Sequence, residues 1–173
     1  MKTLLTFNGS TRADSFHGRV IRALPALAPD DVRIAEFDLA AVPFYNQDLE
    51  GERQPEAVVA MRTAVTEADG VIFAAPEYNH SYSALTKNTI DWITRPMGAG
   101  ALRGKKVMVI SVTPGPGAGR KVAATIAEIL PFLGNEVVSV VNAAAVHEKI
   151  DANGHITDDE LASALRAGLA SFS

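Results

Sequence analysis

The chain has 173 residues, of which 47% are hydrophobic, and a formal net charge of -4. That suits one globular domain spanning 1–173, excludes a disordered chain, and is wrong for a nucleic-acid surface, which needs a basic face. Cysteine is absent, which excludes disulfides, thiolate metal sites and cysteine nucleophiles.

Taken in chain order, Leu4 to Phe7 is the first predicted strand. Val20, Ile21, Leu24 and Leu27 then share a helical face behind Ser15, a natural N-cap, with Pro25 and Pro29 near the far end. Val32, Ile34 and Phe37 mark a second strand. The longest irregular stretch runs from Asp38 to Arg53 and carries Pro43, Phe44 and Tyr45; loops of that length are often functional. Val58, Met61, Val65 and Ala68 form a second helical stripe after Pro55. Val71 to Ala75 is a third strand, and Leu85 to Ile93 a third helix. Val107 to Val112 is the fourth strand. Val122, Ile126, Ile129 and Leu130 stripe a helix that closes near Gly134. Val137 to Val141 is the fifth strand, and Leu161, Leu165 and Leu169 line a last helix after Asp158. Continuous apolar runs suit strands buried on both faces. Five strands alternating with five helices imply a doubly wound parallel α/β sheet with helices on both faces, and such sheets bind ligands beyond the carboxyl ends of their strands. The turns after Phe7, Ala75 and Val112 are therefore where a site is sought. Met1 to Asn8 is too short an apolar run for a signal peptide, and no run approaches the roughly 18 apolar residues of a membrane span. A soluble, cytoplasmic protein with no membrane or nucleic-acid partner is expected.

The first of those turns reads Asn8-Gly9-Ser10-Thr11-Arg12-Ala13-Asp14-Ser15. Its hydroxyls, one guanidinium and the free N–H groups of the following helix suit a phosphate; an ordinary capped turn with a solvated arginine is the alternative. G-x-G-x-x-G and Walker spacings are both absent here, which favours a mononucleotide over a dinucleotide or triphosphate. The second turn reads Pro76-Glu77-Tyr78-Asn79-His80-Ser81-Tyr82, ahead of a helix with Lys87-Asn88 and Asp91-Trp92. Amide-rich turn residues beside aromatics suit a flat heterocycle with hydrogen-bonding edges; a rigid turn with Tyr78 and Tyr82 packed on the surface is the alternative. Lys87 and Asp91 also stand at the i, i+4 spacing of a helical ion pair.

Ser10-x-Arg12-x-x-Ser15, Pro76-Glu77-Tyr78-Asn79-x-Ser81 and Lys87-Asn88-x-x-Asp91-Trp92 resemble the NADPH-dependent FMN reductase family, which includes quinone, azo-dye and chromate reductases. The resemblance implies a flavodoxin-like fold, bound FMN, NADPH or NADH as electron donor, a small-molecule acceptor, and a homodimer or homotetramer. Carried onto this chain, it implies that Ser10, Arg12 and Ser15 hold the FMN phosphate with side chains, and Thr11, Phe16 and His17 largely with backbone. Pro76, Glu77, Tyr78, Asn79 and His80 would line the isoalloxazine ring, mainly through backbone groups, and Thr113 of Thr113-Pro114-Gly115 would stand at its other edge. The implied mechanism is ping-pong: NAD(P)H binds over the flavin, gives up a hydride and leaves before the acceptor binds at the same face. The cofactor supplies the chemistry, so no catalytic side chain is expected; Tyr78 and Asn79 come nearest the reaction. The chain departs from the family at three positions: asparagine is frequent where His17 stands, proline is usual at Ser83 and leucine at Thr86. The last two are expected to soften the start of the third helix.

Gly115-x-Gly117-x-Gly119-Arg120-Lys121 lacks Walker spacing and reads as a flexible turn. Asp151-x-Asn153-Gly154 places Lys149 where a calcium loop needs a carboxylate, so a turn is expected. The four histidines show no ligand spacing and default to surface or turn roles, and no metal site is expected. A flavodoxin-like electron carrier and a non-catalytic FMN-binding module are the alternatives to an enzyme.

Overall fold

The computed structural model describes residues 1–151 and 153–172. In chain order the elements are β1 (Lys2–Asn8), α1 (Phe16–Leu27), β2 (Val32–Glu36), α2 (Glu56–Glu67), β3 (Gly70–Ala74), β4 (Glu77–Tyr78), β5 (Ser81–Tyr82), α3 (Ala84–Ile93), β6 (Lys106–Val112), α4 (Arg120–Phe132), β7 (Glu136–Ala143) and α5 (Asp159–Ala170). Five strands form one sheet in the order β2-β1-β3-β6-β7, every pairing parallel. Side chains alternate between the two faces along each strand. Val71 and Phe73 of β3 and Val107 and Val109 of β6 join α2, α3 and α4 in one core. Ile72, Met108 and Ile110 join α1 and α5 in the other. This is the doubly wound, flavodoxin-like sheet expected from the sequence, in the order that reverses direction between β1 and β3. The crevice at such a reversal lies beyond the carboxyl ends of the strands.

Local signals explain the helix ends. Ser15 accepts the Gly18 N–H and starts α1; Asp158 accepts the Leu161 N–H and starts α5. Pro25 sits inside the last turn of α1, which closes at Leu27 ahead of Pro29. The Asp38–Arg53 stretch holds two single helical turns. It is fastened by α3: Asn88 and Trp92 both donate to the Pro43 carbonyl, at 3.0 and 2.8 Å, and the Asn88 side chain accepts the Tyr45 N–H at 2.7 Å.

The turn expected after β3 is present and closes a hairpin, β4 paired antiparallel with β5. Its tip is Asn79-His80, both with positive φ, 52° and 63°, the geometry of a primed hairpin turn. Strands of two residues carry no readable periodicity, and the tip lacks the glycine that usually marks such a turn. The expectation for Ser83 needs correction: it does not soften α3. Its hydroxyl accepts the Thr86 N–H as N-cap and donates to the Gly9 carbonyl at 2.7 Å. A serine makes both bonds; proline offers neither hydroxyl.

Candidate functional site

The first loop is built around Gly9. A Cβ there would stand 2.3 Å from Thr86 Oγ1 and 2.6 Å from Pro76 Cδ, so only glycine lets this loop pass so close to the hairpin and α3. Beyond it the chain turns on itself: the Ser10 N–H donates to Asn8 Oδ1, the Arg12 N–H to the Ser10 hydroxyl and the Ser15 N–H to the Arg12 carbonyl. Helix α1 then presents its N-terminus. The Gly18 and Arg19 N–H groups are taken by Ser15, while those of Phe16 and His17 have no acceptor among the described residues. Asp14 pairs with Arg19, Nε to Oδ1 at 2.7 Å, which holds the exposed Asp14 carboxyl below its ordinary value. Arg12 makes no ion pair among the described residues; its guanidinium stands 5.8 Å from the centre of the Phe16 ring.

His17 overturns the surface-or-turn default for histidines. Its side chain is turned into the protein, with 5% of the residue exposed. Nε2 accepts the Val112 N–H at 3.2 Å, and the Ala75 carbonyl stands beside the ring. Burial pushes the imidazole down to about 4, partly opposed by the Ala75 carbonyl, so the ring is neutral at pH 7. It therefore joins the start of α1 to the ends of β3 and β6. The other histidines do sit in exposed positions or turns.

The third loop is held as firmly. Thr113 donates its N–H to Ala143 and its hydroxyl to the Gly115 carbonyl. Ala118 and Gly119 both adopt positive φ, and a Cβ on Gly119 would lie 2.0 Å from Ser111 Oγ. Asn142 donates to the Ala118 carbonyl at 3.1 Å. The glycine-rich stretch is thus a turn with a fixed far end. The Asp151 stretch is a turn as well, with Asp151 Oδ1 accepting the Asn153 and His155 N–H groups.

All the expected site residues except Thr11, Asn79 and His80 line one cavity of about 220 Å³, together with Val112 and Pro114. Thr11 instead faces two adjoining cavities of about 430 and 450 Å³; the first is bounded also by Phe44, Tyr78, Leu85 and Asn88, the second by Glu36 and Asp38. Asn79 and His80 form the exposed hairpin tip outside all three cavities. His80 Nδ1 stands 3.3 Å from Glu77 Oε1, while Glu77 Oε2 is buried with no partner among the described residues. Sequence reasoning missed the residues that fix the loops: Ser83, Ser111 and Asn142. No motif marks them, because each acts through a backbone carbonyl of a distant segment.

These features fit FMN. Its phosphate carries close to two negative charges at neutral pH, and at one end of the cavity stand an arginine without an ion-pair partner and two N–H groups without acceptors among the described residues, together with the hydroxyl of Ser10. The orphaned Glu77 oxygen lies toward the hairpin end, where a heterocycle with N–H donors would satisfy it.

The comparisons with known proteins agree. Residues 2–149 match the model of the NADPH-dependent FMN reductase family. A quinone reductase of Pseudomonas putida is 38% identical over 72% of this chain and 67% of its own length. An NADPH:quinone oxidoreductase of Arabidopsis thaliana is 36% identical over 95% and 87%. The solved structure of FerB, a flavoenzyme NAD(P)H:(acceptor) oxidoreductase from Paracoccus denitrificans, superposes with a TM-score of 0.85 at 31% identity, covering 99% of this chain and 95% of that one. A strand order that opens its crevice between β1 and β3, three loops converging there, and a family match across nearly the whole chain lead to one conclusion: the chain belongs to the NADPH-dependent FMN reductase family.

Proposed function

We propose that a small quinone or similar acceptor, such as an azo compound or free flavin, takes the electrons that this FMN-dependent NAD(P)H oxidoreductase draws from its nicotinamide donor. The observation that carries the reading is the single cavity shared by the first loop, the hairpin and the Thr113 loop. One end is built for a phosphate, the other for a ring. Bound FMN supplies hydride acceptance and electron return.

The protein supplies position. Arg12 and the N–H groups of Phe16 and His17 hold the phosphate. Pro76 and Glu77, fixed by the hairpin, line one side of the ring, and Thr113 the other. Tyr78, half-exposed at 53%, borders both the cofactor cavity and the adjoining one of about 430 Å³. Leu39, Val42, Phe44 and Leu85 form an apolar wall of that second cavity, with Asn88 at its side. An apolar wall beside the redox centre suits a flat, uncharged acceptor better than a charged protein partner. Asn79, at the hairpin tip, reaches the cofactor only through the backbone it shares with Tyr78.

The proposed assembly is a homodimer or homotetramer in the cytoplasm, where reduced nicotinamide is supplied. Phe44 is 78% exposed beside the second cavity, and Met97 and Phe132 are 82% and 91% exposed on another face. Large exposed apolar side chains support an association surface. No helix among the described residues is long and apolar enough to cross a membrane. Light scattering of active protein reads the assembly directly; a monomer mass at micromolar concentration removes it from the proposal.

Steady-state turnover tests the function. Flavin-loaded protein is expected to oxidise NADPH or NADH in the presence of benzoquinone. A flavin-loaded protein that turns over neither donor with benzoquinone, an azo dye or free FMN defeats the proposal.

A further inference from the structure

We propose that His17 is a positioning residue for the cofactor, tying the phosphate-binding end of the site to the two strand ends that carry the ring-binding loops. The inference rests on the FMN reading above and concerns how this particular chain achieves it, since the histidine is one of its departures from the family pattern.

His17 acts at two places. Its backbone N–H is one of the two donors at the start of α1 that have no acceptor among the described residues. Its ring runs the other way, into the protein, where Nε2 accepts the Val112 N–H and the Ala75 carbonyl stands beside the ring. Ala75 is followed directly by Pro76-Glu77, and Val112 directly by Thr113. One side chain thus sets the distance between the phosphate donors and both ring-side loops. With Nε2 accepting, the ring proton sits on Nδ1, and a neutral imidazole satisfies an N–H and a C=O at once. The Ala75 carbonyl is shared with Ser111, whose hydroxyl donates to it at 2.6 Å, so the β3 end is held from both flanks.

Charge plays no part in this tie. The charged groups facing the same cavity are Arg12 from the first loop and Glu77 from the hairpin, while the β6 end contributes Val112 and Thr113, which do not titrate near neutral pH. The causes acting on the His17 ring are its burial and the Ala75 carbonyl. A side chain whose polar atoms are used wholly on backbone, at the junction of three loops, fixes geometry without touching the reaction.

Two polar substitutions test this. In His17→Gln the terminal amide reaches the position of Nε2 and can still accept the Val112 N–H. In His17→Asn the amide is one bond shorter and reaches only one partner. Apo-protein of each, folded by thermal unfolding, is titrated with FMN and with riboflavin, which lacks the phosphate. The tie acts on the distance between phosphate and ring donors, so His17→Asn should lose roughly tenfold in FMN affinity, the scale of one buried hydrogen bond, and less than about threefold for riboflavin. His17→Gln should stay near wild type for both. FMN affinity unchanged in His17→Asn, or equal losses for both ligands, or a Gln variant no better than Asn, overturns the positioning role. Wild-type protein that binds neither ligand overturns the FMN reading itself, and the inference with it.

Discussion

The Ser83 hydroxyl donates to the Gly9 carbonyl at 2.7 Å while accepting the Thr86 N–H, so one side chain caps α3 and clasps the first loop. The bond crosses 74 residues of sequence and brings the phosphate loop against the hairpin. Both groups are buried.

Ser83→Ala therefore removes an N-cap, worth about 1 kcal/mol, and leaves a buried carbonyl unsatisfied, worth roughly 1–3 kcal/mol. A total loss of about 2–4 kcal/mol is expected, which at this chain length lowers Tm by roughly 4–16 °C. Differential scanning calorimetry of the apo-protein checks it. A change below about 2 °C would mean the clasp is only a contact.

Arg12 carries the phosphate assignment. A hydrogen bond to a charged group is worth roughly 1.5–3 kcal/mol, so Arg12→Ala should weaken FMN binding by about 10- to 150-fold. Ser10→Ala should cost less, since it removes one neutral donor. Riboflavin affinity should barely move. Flavin-fluorescence titrations of the apo-proteins separate the outcomes: equal losses for FMN and riboflavin would place Arg12 in general support of the fold rather than at the phosphate.

His17 gives the stability of the protein a defined acid limb. Its folded-state value is about 4 against an ordinary 6.5, so the folded ring stays neutral where the unfolded one is charged. At pH 7 both states hold it neutral and it contributes nothing to the slope. As pH falls from about 6.5 to about 4 the unfolded chain takes up the proton first, and stability drops by up to about 1.4 kcal/mol per pH unit, roughly 3 kcal/mol in all. Below about 4 the loss levels off. Urea midpoints of wild type and His17→Gln at pH 7, 6 and 5 should converge, or cross, as the pH falls. A constant difference across that range would contradict a ring held neutral by burial.

Most of the sheet is legible in the sequence because parallel strands buried on both faces leave unbroken apolar runs, as at Val71–Ala75 and Val107–Val112. The helix starts at Ser15 and Asp158 are legible because a cap needs particular side chains next to an apolar stripe. The hairpin is not: Glu77–Tyr78 and Ser81–Tyr82 are too short for a period, and its turn, Asn79-His80, carries no glycine. In the site, the residues offered to a ligand stand in local motifs, while those that hold the loops do not. Ser83, Asn142 and His17 each bond backbone far away in sequence, and nothing in a local window distinguishes such a side chain from a solvated one. Asn88 and Trp92, part of the motif that carries the family resemblance, hold the Pro43–Tyr45 segment in place.

The central claim is that this chain binds FMN and passes electrons through it from a nicotinamide to a small acceptor. Anaerobic titration of the flavin-loaded protein with NADPH, and separately with NADH, followed by addition of benzoquinone, tests each half in one cuvette. The expected result is loss of the oxidised-flavin absorption band with at least one nicotinamide and its full return with the quinone. A flavin band that persists with excess of both nicotinamides would contradict the account.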